Sequence, residues 1–251
     1  MGKINHLIVY CFVFFCLGCS TKKSYRIVEV QGSRVEMDST WDENADSKMI
    51  ELVDSYKNIL DAEMNIEIGI ADKTLTKAYP QGSLSNFSAD IIKEFAEKKW
   101  GNIDFAIVNN GGIRSSLNKG VITIGNLFDI YPYDSQIVQL DLSAQTVHEL
   151  FSFLALIGGE ALSKEVQLVI KDRKVKTLLI NDQPVDETKI YRVATIDFLA
   201  EGNDGMIALR QAERYTDSNL ILRNVVIEYI KEKSEQGKFI DAELDNRILI
   251  E

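Results

Sequence analysis

Residues 103–108 read Ile-Asp-Phe-Ala-Ile-Val, a nearly continuous apolar run that stops at Asn109-Asn110-Gly111-Gly112. Apolar side chains on both faces of a strand must be covered on both faces, so this segment belongs inside a layered sheet and not at an open surface. Two adjacent glycines allow positive φ and close approach of the backbone to a ligand, which suits the end of this strand to be the floor of a site. The chain can supply the layers: 251 residues with 45% hydrophobic and 26% charged content bury a sizeable core without disulfide staples.

The pattern on either side mixes the two periodicities. Residues 25–37, with Ile27, Val28, Val30 and Val35 among polar neighbours, predict a first strand or hairpin. Ala45, Met49, Leu52, Val53, Tyr56, Ile59 and Leu60 recur as one stripe of a helix whose other face is charged. A short strand over 65–70 precedes a second helix with Phe87, Ile91, Ile92, Phe95 and Ala96 inward. Downstream, strands are expected at 121–124 and 137–142, with a helical turn at 126–130 between them. Ser143 is placed as the N-cap of a helix ended by Gly158-Gly159. Further strands are read at 166–170, 175–180 and 191–194, then a long loop over 197–205, a helix with Leu222, Val225, Val226, Tyr229 and Ile230 inward, and a last strand at 247–250. Strands and helices mix without strict βαβ alternation, which predicts an α+β class.

The amino terminus carries a separate signal. Leu7 to Leu17 is almost entirely apolar, follows Lys3 and ends at Gly18-Cys19-Ser20. Such a run is too short for a bilayer core that needs about 20 helical residues. Its outline resembles a bacterial lipoprotein signal, with Cys16 where that signal usually carries Leu. The resemblance implies a signal peptide at 1–18, Cys19 as the lipid anchor, a polar tether at 19–26 and a folded domain at 27–251. Cleavage there discards Cys11, Cys16 and His6 and removes one Lys and no acid. It also places the protein in the cell envelope, anchored to a membrane and facing the periplasm or the cell surface.

Charge and rare residues narrow the function. A formal charge of −10 argues against nucleic acid, whose phosphates need Lys and Arg to neutralise them. Two histidines, with all three cysteines inside the first nineteen residues, leave little for a zinc or di-metal centre. His148 adjoins Val147 on the helix after Ser143 and is expected half exposed. Three segments stand apart from this structural reading: Asn109-Asn110-Gly111-Gly112-Ile113-Arg114-Ser115, Tyr131-Pro132-Tyr133-Asp134, and the stretch from Phe198 to Gly205. They offer an arginine beside glycines, exposed aromatics, and an acid between two glycines. Arginine gives planar, charge-assisted hydrogen bonds to phosphate. A carboxylate accepts from vicinal ribose hydroxyls, and aromatic rings stack on a base for about 1–3 kcal/mol each.

In this order the three segments resemble the C-terminal substrate-binding domain of the 5′-nucleotidase and UDP-sugar hydrolase family. The resemblance implies that domain's layered α/β/β/α fold with mixed sheets. It further implies that Tyr133 and Phe198 sandwich a base, Asp204 binds ribose, Arg114 meets phosphate and Asn109 lies near the nucleoside. Asn110 and Asn203 stand where the family has glycine. A further family arginine has no counterpart at Ala78, with Lys77 the nearest cation, and Glu165 falls where a glycine often flanks the base. In the complete family the chemistry belongs to an N-terminal metallophosphoesterase domain, whose motifs are not in this sequence. The resemblance therefore implies the nucleotide-binding half of a split 5′-nucleotidase: no catalytic residue, metal or cofactor in this chain, and divalent metals in a separately encoded metallophosphoesterase partner. The alternative is a non-enzymatic lipoprotein that binds nucleosides or nucleotides.

Overall fold

The computed structural model describes residues 25–44 and 46–251. Residues 1–24 and Ala45 lie outside the described residues, and with them the signal-like segment, Cys19 and all of the tether except Tyr25 and Arg26. The chain divides into two compact units, Met1–Ile50 and Glu51–Glu251.

In the first unit the strand expected over 25–37 is absent, which corrects the sequence expectation. Ile27, Val28 and Val30 are 80%, 95% and 81% exposed. Alternation makes a strand only where a neighbouring strand takes the backbone groups and a layer takes the apolar face, and among the described residues no strand pairs with this segment. A 3₁₀ turn follows at Ser39–Asn44. Helix α1, Ser47–Met64, runs from the first unit into the second, with the Asp46 carboxylate accepting from Lys48 N at 2.9 Å at its start. Its periodicity is as expected, yet no residue of it is buried, and Leu52, Tyr56 and Ile59 are open to solvent.

The second unit is α+β. Its elements are β1 (Glu67–Ala71), α2 (Ser83–Trp100), β2 (Phe105–Val108), β3 (Gly120–Thr123), α3 (Ile124–Ile130), β4 (Gln136–Ser143), α4 (Ala144–Ile157) and β5 (Ala161–Leu162). Then come β6 (Val166–Lys171), β7 (Lys174–Ile180), β8 (Gln183–Pro184), β9 (Ile190–Ile196), α5 (Asp197–Ala200), β10 (Arg214–Ile221), α6 (Leu222–Glu235) and β11 (Ile248–Ile250). Three sheets result, in the orders β10-β4-β9-β2-β5, β11-β6-β7-β8 and β1-β3, the two larger ones mixed.

The run at 103–108 behaves as its composition requires. Strand β2 is at most 1% exposed at every position. Helix α2 packs along it, and Phe151 of α4 meets Phe105 with ring centroids 5.5 Å apart. Burying a side chain of this size contributes about 2 kcal/mol. Ser143 caps α4 by accepting from Thr146 N at 3.2 Å, and Gly158 ends it at φ 90°. The hairpin between β7 and β8 turns through Asn181 and Asp182, both at positive φ. The second sheet is tied down by Arg247, which is 4% exposed and donates to Asp90, Asp245 and the Leu162 carbonyl.

Other parts of the second unit depart from the expected pattern, among them the short strands β5 and β8. Strand β10 was not legible because Arg-Tyr-Thr-Asp-Ser-Asn-Leu-Ile is a polar edge strand, held by its ladder to β4. The loop expected over 197–205 holds a turn of helix, α5, and a 3₁₀ turn at Asn203–Gly205.

The register of the five-stranded sheet decides where the three motifs go. Strands β2 and β9 are parallel neighbours, with Ala106 opposite Ala194, so both leave the sheet at the same edge. Strand β4 is antiparallel to β9, with Ile137 opposite Ile196, so it enters at that edge. The segments following Val108, preceding Gln136 and following Ile196 therefore meet. Strand β5 also starts there, with Ala161 opposite Val108, and β10 ends there, with Ile221 opposite Gln136.

Candidate functional site

A cleft of ≈ 420 Å³ opens at this edge, lined by Asn109, Gly111, Gly112, Arg114, Tyr133, Ser135, Ile196, Phe198 and Asp204. All five side chains singled out from the sequence line it. Ser135 and Ile196 join them, neither carrying a sequence signal of its own.

Asn109 is the buried centre. Its amide donates to the Asp204 carboxylate at 2.6 Å, closing one wall across two loops. Its Oδ1 is buried and has no hydrogen-bond partner among the described residues. Gly112 is required beside it, because a Cβ there would lie 2.9 Å from Asn109 Oδ1. Asp204 sits at φ 52°, in the left-handed region that Asp tolerates better than most residues. Its loop is fixed by Asn203 Nδ2 donating to the Phe198 carbonyl at 2.9 Å. Gly205, at φ 80°, leaves room for Phe153, which a Cβ would meet at 2.4 Å. Tyr133 and Phe198 are 55% and 40% exposed, so their ring faces are available at the cleft. Arg114 is exposed and donates to the Gly111 carbonyl at 3.2 Å.

Lys77 does not stand in for the absent arginine. Its ammonium donates to the Asn110 carbonyl at 3.1 Å and to the Ile113 carbonyl at 2.5 Å, so it braces the loop from behind. Glu165 is not among the cleft-lining residues; it lies 3.4 Å from Lys93 on α2. Asn110, the replacement for a glycine, is 2% exposed and accepts from Ser85 Oγ. His148 is half exposed, as the sequence suggested, and the structure pairs it with Glu187 at 2.9 Å.

Two supporting residues were missed. Arg223, at the start of α6, is 6% exposed and donates to the Tyr131 carbonyl at 2.8 Å and to Asp134 at 2.5 Å, and it stacks over Phe128. It holds the loop that carries Tyr133, and nothing in the local sequence pairs it with residues about ninety positions earlier. Glu160 precedes β5 and is 4% exposed, and its carboxylate accepts from Asn110 N at 2.6 Å and Ala161 N at 3.2 Å.

Burial pushes the Glu160 carboxyl up to about 7, with the two backbone N–H groups and Lys77 opposing the shift and Asp204 adding to it. The unfolded chain releases this proton near 4.5, so the folded protein holds it through the interval between. Stability from this group is fully present below 4.5 and is lost as pH rises through 7. Glu160→Gln is therefore expected to raise stability at pH 8 by about 3 kcal/mol and to leave it nearly unchanged at pH 4.5. Urea denaturation of both proteins at the two pH values checks this.

The mixed sheets define an α+β domain, with this polar-and-aromatic cleft where β2 and β9 end and β4 begins. The chain belongs to the 5′-nucleotidase C-terminal domain family: the model of that family, described as "5'-nucleotidase, C-terminal domain", matches residues 67–211. Protein UshA of Escherichia coli (strain K12) is 28% identical over 191 residues, covering 74% of this chain and 35% of that protein. Cell wall protein Lmo0130 of Listeria monocytogenes serovar 1/2a is 27% identical over 230 residues, 81% of this chain and 29% of that protein. Among solved structures, a 5′-nucleotidase precursor from Thermus thermophilus shares the fold with a TM-score of 0.69 at 23% identity, over 80% of this chain and 42% of that one. The chain thus spans about a third of the length of the curated relatives it matches.

Proposed function

We propose that this chain is the nucleotide-binding half of a split 5′-nucleotidase, presenting a phosphate ester to a separately encoded metallophosphoesterase. The observation that carries the reading is the assembly of Asn109, Arg114, Tyr133, Phe198 and Asp204, drawn from three distant segments, around one cleft. Tyr133 and Phe198 offer faces to a base, Asp204 accepts from ribose, Asn109 lies near the nucleoside and holds the Asp204 carboxylate in place, and Arg114 meets phosphate. Among the described residues no three of His, Cys, Asp and Glu come together so as to hold a metal ion. Divalent metals belong, in this reading, to the partner. The cell-wall name of one relative supports an envelope location, and the apolar run ending at Gly18-Cys19 supports Cys19 as a lipid anchor.

Two assays test it. Calorimetry with AMP and with UDP-glucose is expected to show binding, weakened about 10-fold by either Tyr133→Leu or Phe198→Leu, the share of one stacking face. Phosphate release from the same compounds should need both this chain and a metallophosphatase. Turnover by the purified single chain would sink the division of labour, and absence of binding would sink the ligand.

A further inference from the structure

We propose that Glu160 is a proton-operated latch on the Asn110–Gly112 turn, a positioning residue that sets the floor of the cleft while touching no ligand itself. The turn is held from behind by three groups. Glu160 accepts the Asn110 N–H at 2.6 Å, Ser85 Oγ donates to the Asn110 side chain, and Lys77 donates to the carbonyls on either side of the turn, at Asn110 and Ile113. Of these, only the Glu160 contact secures a backbone N–H, and its partner atom sits one residue from Asn109. Movement of the turn therefore moves the Asn109 amide that closes the wall on Asp204.

The geometry explains why a carboxylate is kept in so buried a place. Strand β5 begins opposite the end of β2, so the residue ahead of it abuts the turn after β2. An amide side chain there would satisfy the same donors with no desolvated charge. The charge strengthens the short bond to Asn110 N roughly twofold over a neutral acceptor. The ionisable groups that face it are Lys77 and Tyr79, from the loop ahead of α2, and Asp204, from the segment after β9. Lys77 favours the ionised form and Asp204 opposes it, while the Tyr79 phenol, itself pushed up by burial, carries no charge near neutrality. With the carboxyl ionised the latch is closed. A proton on it weakens the bond to Asn110 N, which releases the turn while Glu160 itself stays buried. The titration falls near neutral pH, where the latch responds to ordinary changes in the surroundings.

The link from latch to affinity rests on the nucleotide reading, whereas the latch itself can be read without ligand. In the full chain, the Asn110 amide resonance and its hydrogen-exchange protection are followed from pH 5.5 to 8.5, in the wild type and in Glu160→Gln. The expected result is a wild-type transition near neutrality, with lower protection on the acid side, and none in the variant. Adenosine is the binding probe, because it has no group titrating in this range, unlike a nucleotide phosphate. Its affinity should fall about 5-fold from pH 8.5 to 5.5 in the wild type, stay flat in Glu160→Gln near the acidic wild-type value, and keep its pH dependence in Ser85→Ala. A brace with no titrating role would leave the two pH profiles parallel. An Asn110 signal identical in wild type and Glu160→Gln overturns the latch. A transition at Asn110 with no adenosine binding at any pH upholds the latch and removes the nucleoside.

Discussion

Replacing Asp204 by Asn should lower nucleoside affinity about 100-fold while shifting the melting temperature by no more than a few degrees. A carboxylate accepting two vicinal hydroxyls makes two charge-assisted bonds, and losing the charge from both is worth about 3 kcal/mol. Asn is the informative substitution. Position 204 sits at φ 52°, which Asn adopts more readily than Ala, and its Oδ1 can still accept the Asn109 amide that Asp204 accepts at 2.6 Å. Asp204→Ala would mix three effects: lost ribose contact, backbone strain, and an unpaired amide on Asn109. Calorimetry with adenosine beside a thermal melt separates binding from folding. Wild-type affinity in Asp204→Asn would remove this residue from the site.

Replacing Arg223 by Met is expected to cost about 3 kcal/mol of stability, with about a 10-fold loss of affinity. Met keeps the apolar stem of the side chain and removes the guanidinium. Asp134 is 71% exposed at its side chain and returns to water at little cost. The penalty comes from the buried end: the Tyr131 carbonyl loses its 2.8 Å donor, and Phe128 loses the cation stacked 3.9 Å from its ring. Tyr131 is 3% exposed, so water cannot readily replace the donor. With the loop released, Tyr133 no longer has a fixed place at the cleft. Urea denaturation reads the stability, and adenosine calorimetry reads the affinity. A variant destabilised as expected but binding normally would show that the Tyr133 loop is positioned by other contacts.

What could be read in the sequence divides along physical lines. Strand β2 was legible because two-sided burial writes itself as an unbroken apolar run. The cleft was legible because five of the side chains that line it lie in short segments of unusual composition. Strand β10 was not, since an edge strand facing solvent keeps its polar residues and is defined by backbone ladders to β4. Arg223 and Glu160 were not, because each acts through a backbone group far along the chain, and that pairing exists only once the sheet has formed. The direction in which Lys77 points is of the same kind: the sequence offers a cation near the expected phosphate, and the structure commits it to two carbonyls. Helix α1 shows the opposite limit. Its stripe predicts the helix correctly and says nothing about whether a layer covers it.

The shared edge of β2, β4 and β9 also makes the cleft a measure of assembly. Asn109 and Asp204 are 95 positions apart, and Tyr133 lies between them in sequence on a third segment. Any occupant that touches all three acts as a non-covalent staple across most of the second unit. It binds only the closed sheet, so its free energy adds to folding, by about 2.7 kcal/mol at a hundredfold excess over its dissociation constant. Compounds that fit the cleft will announce themselves by delaying the melting of the whole unit, before any reaction is known.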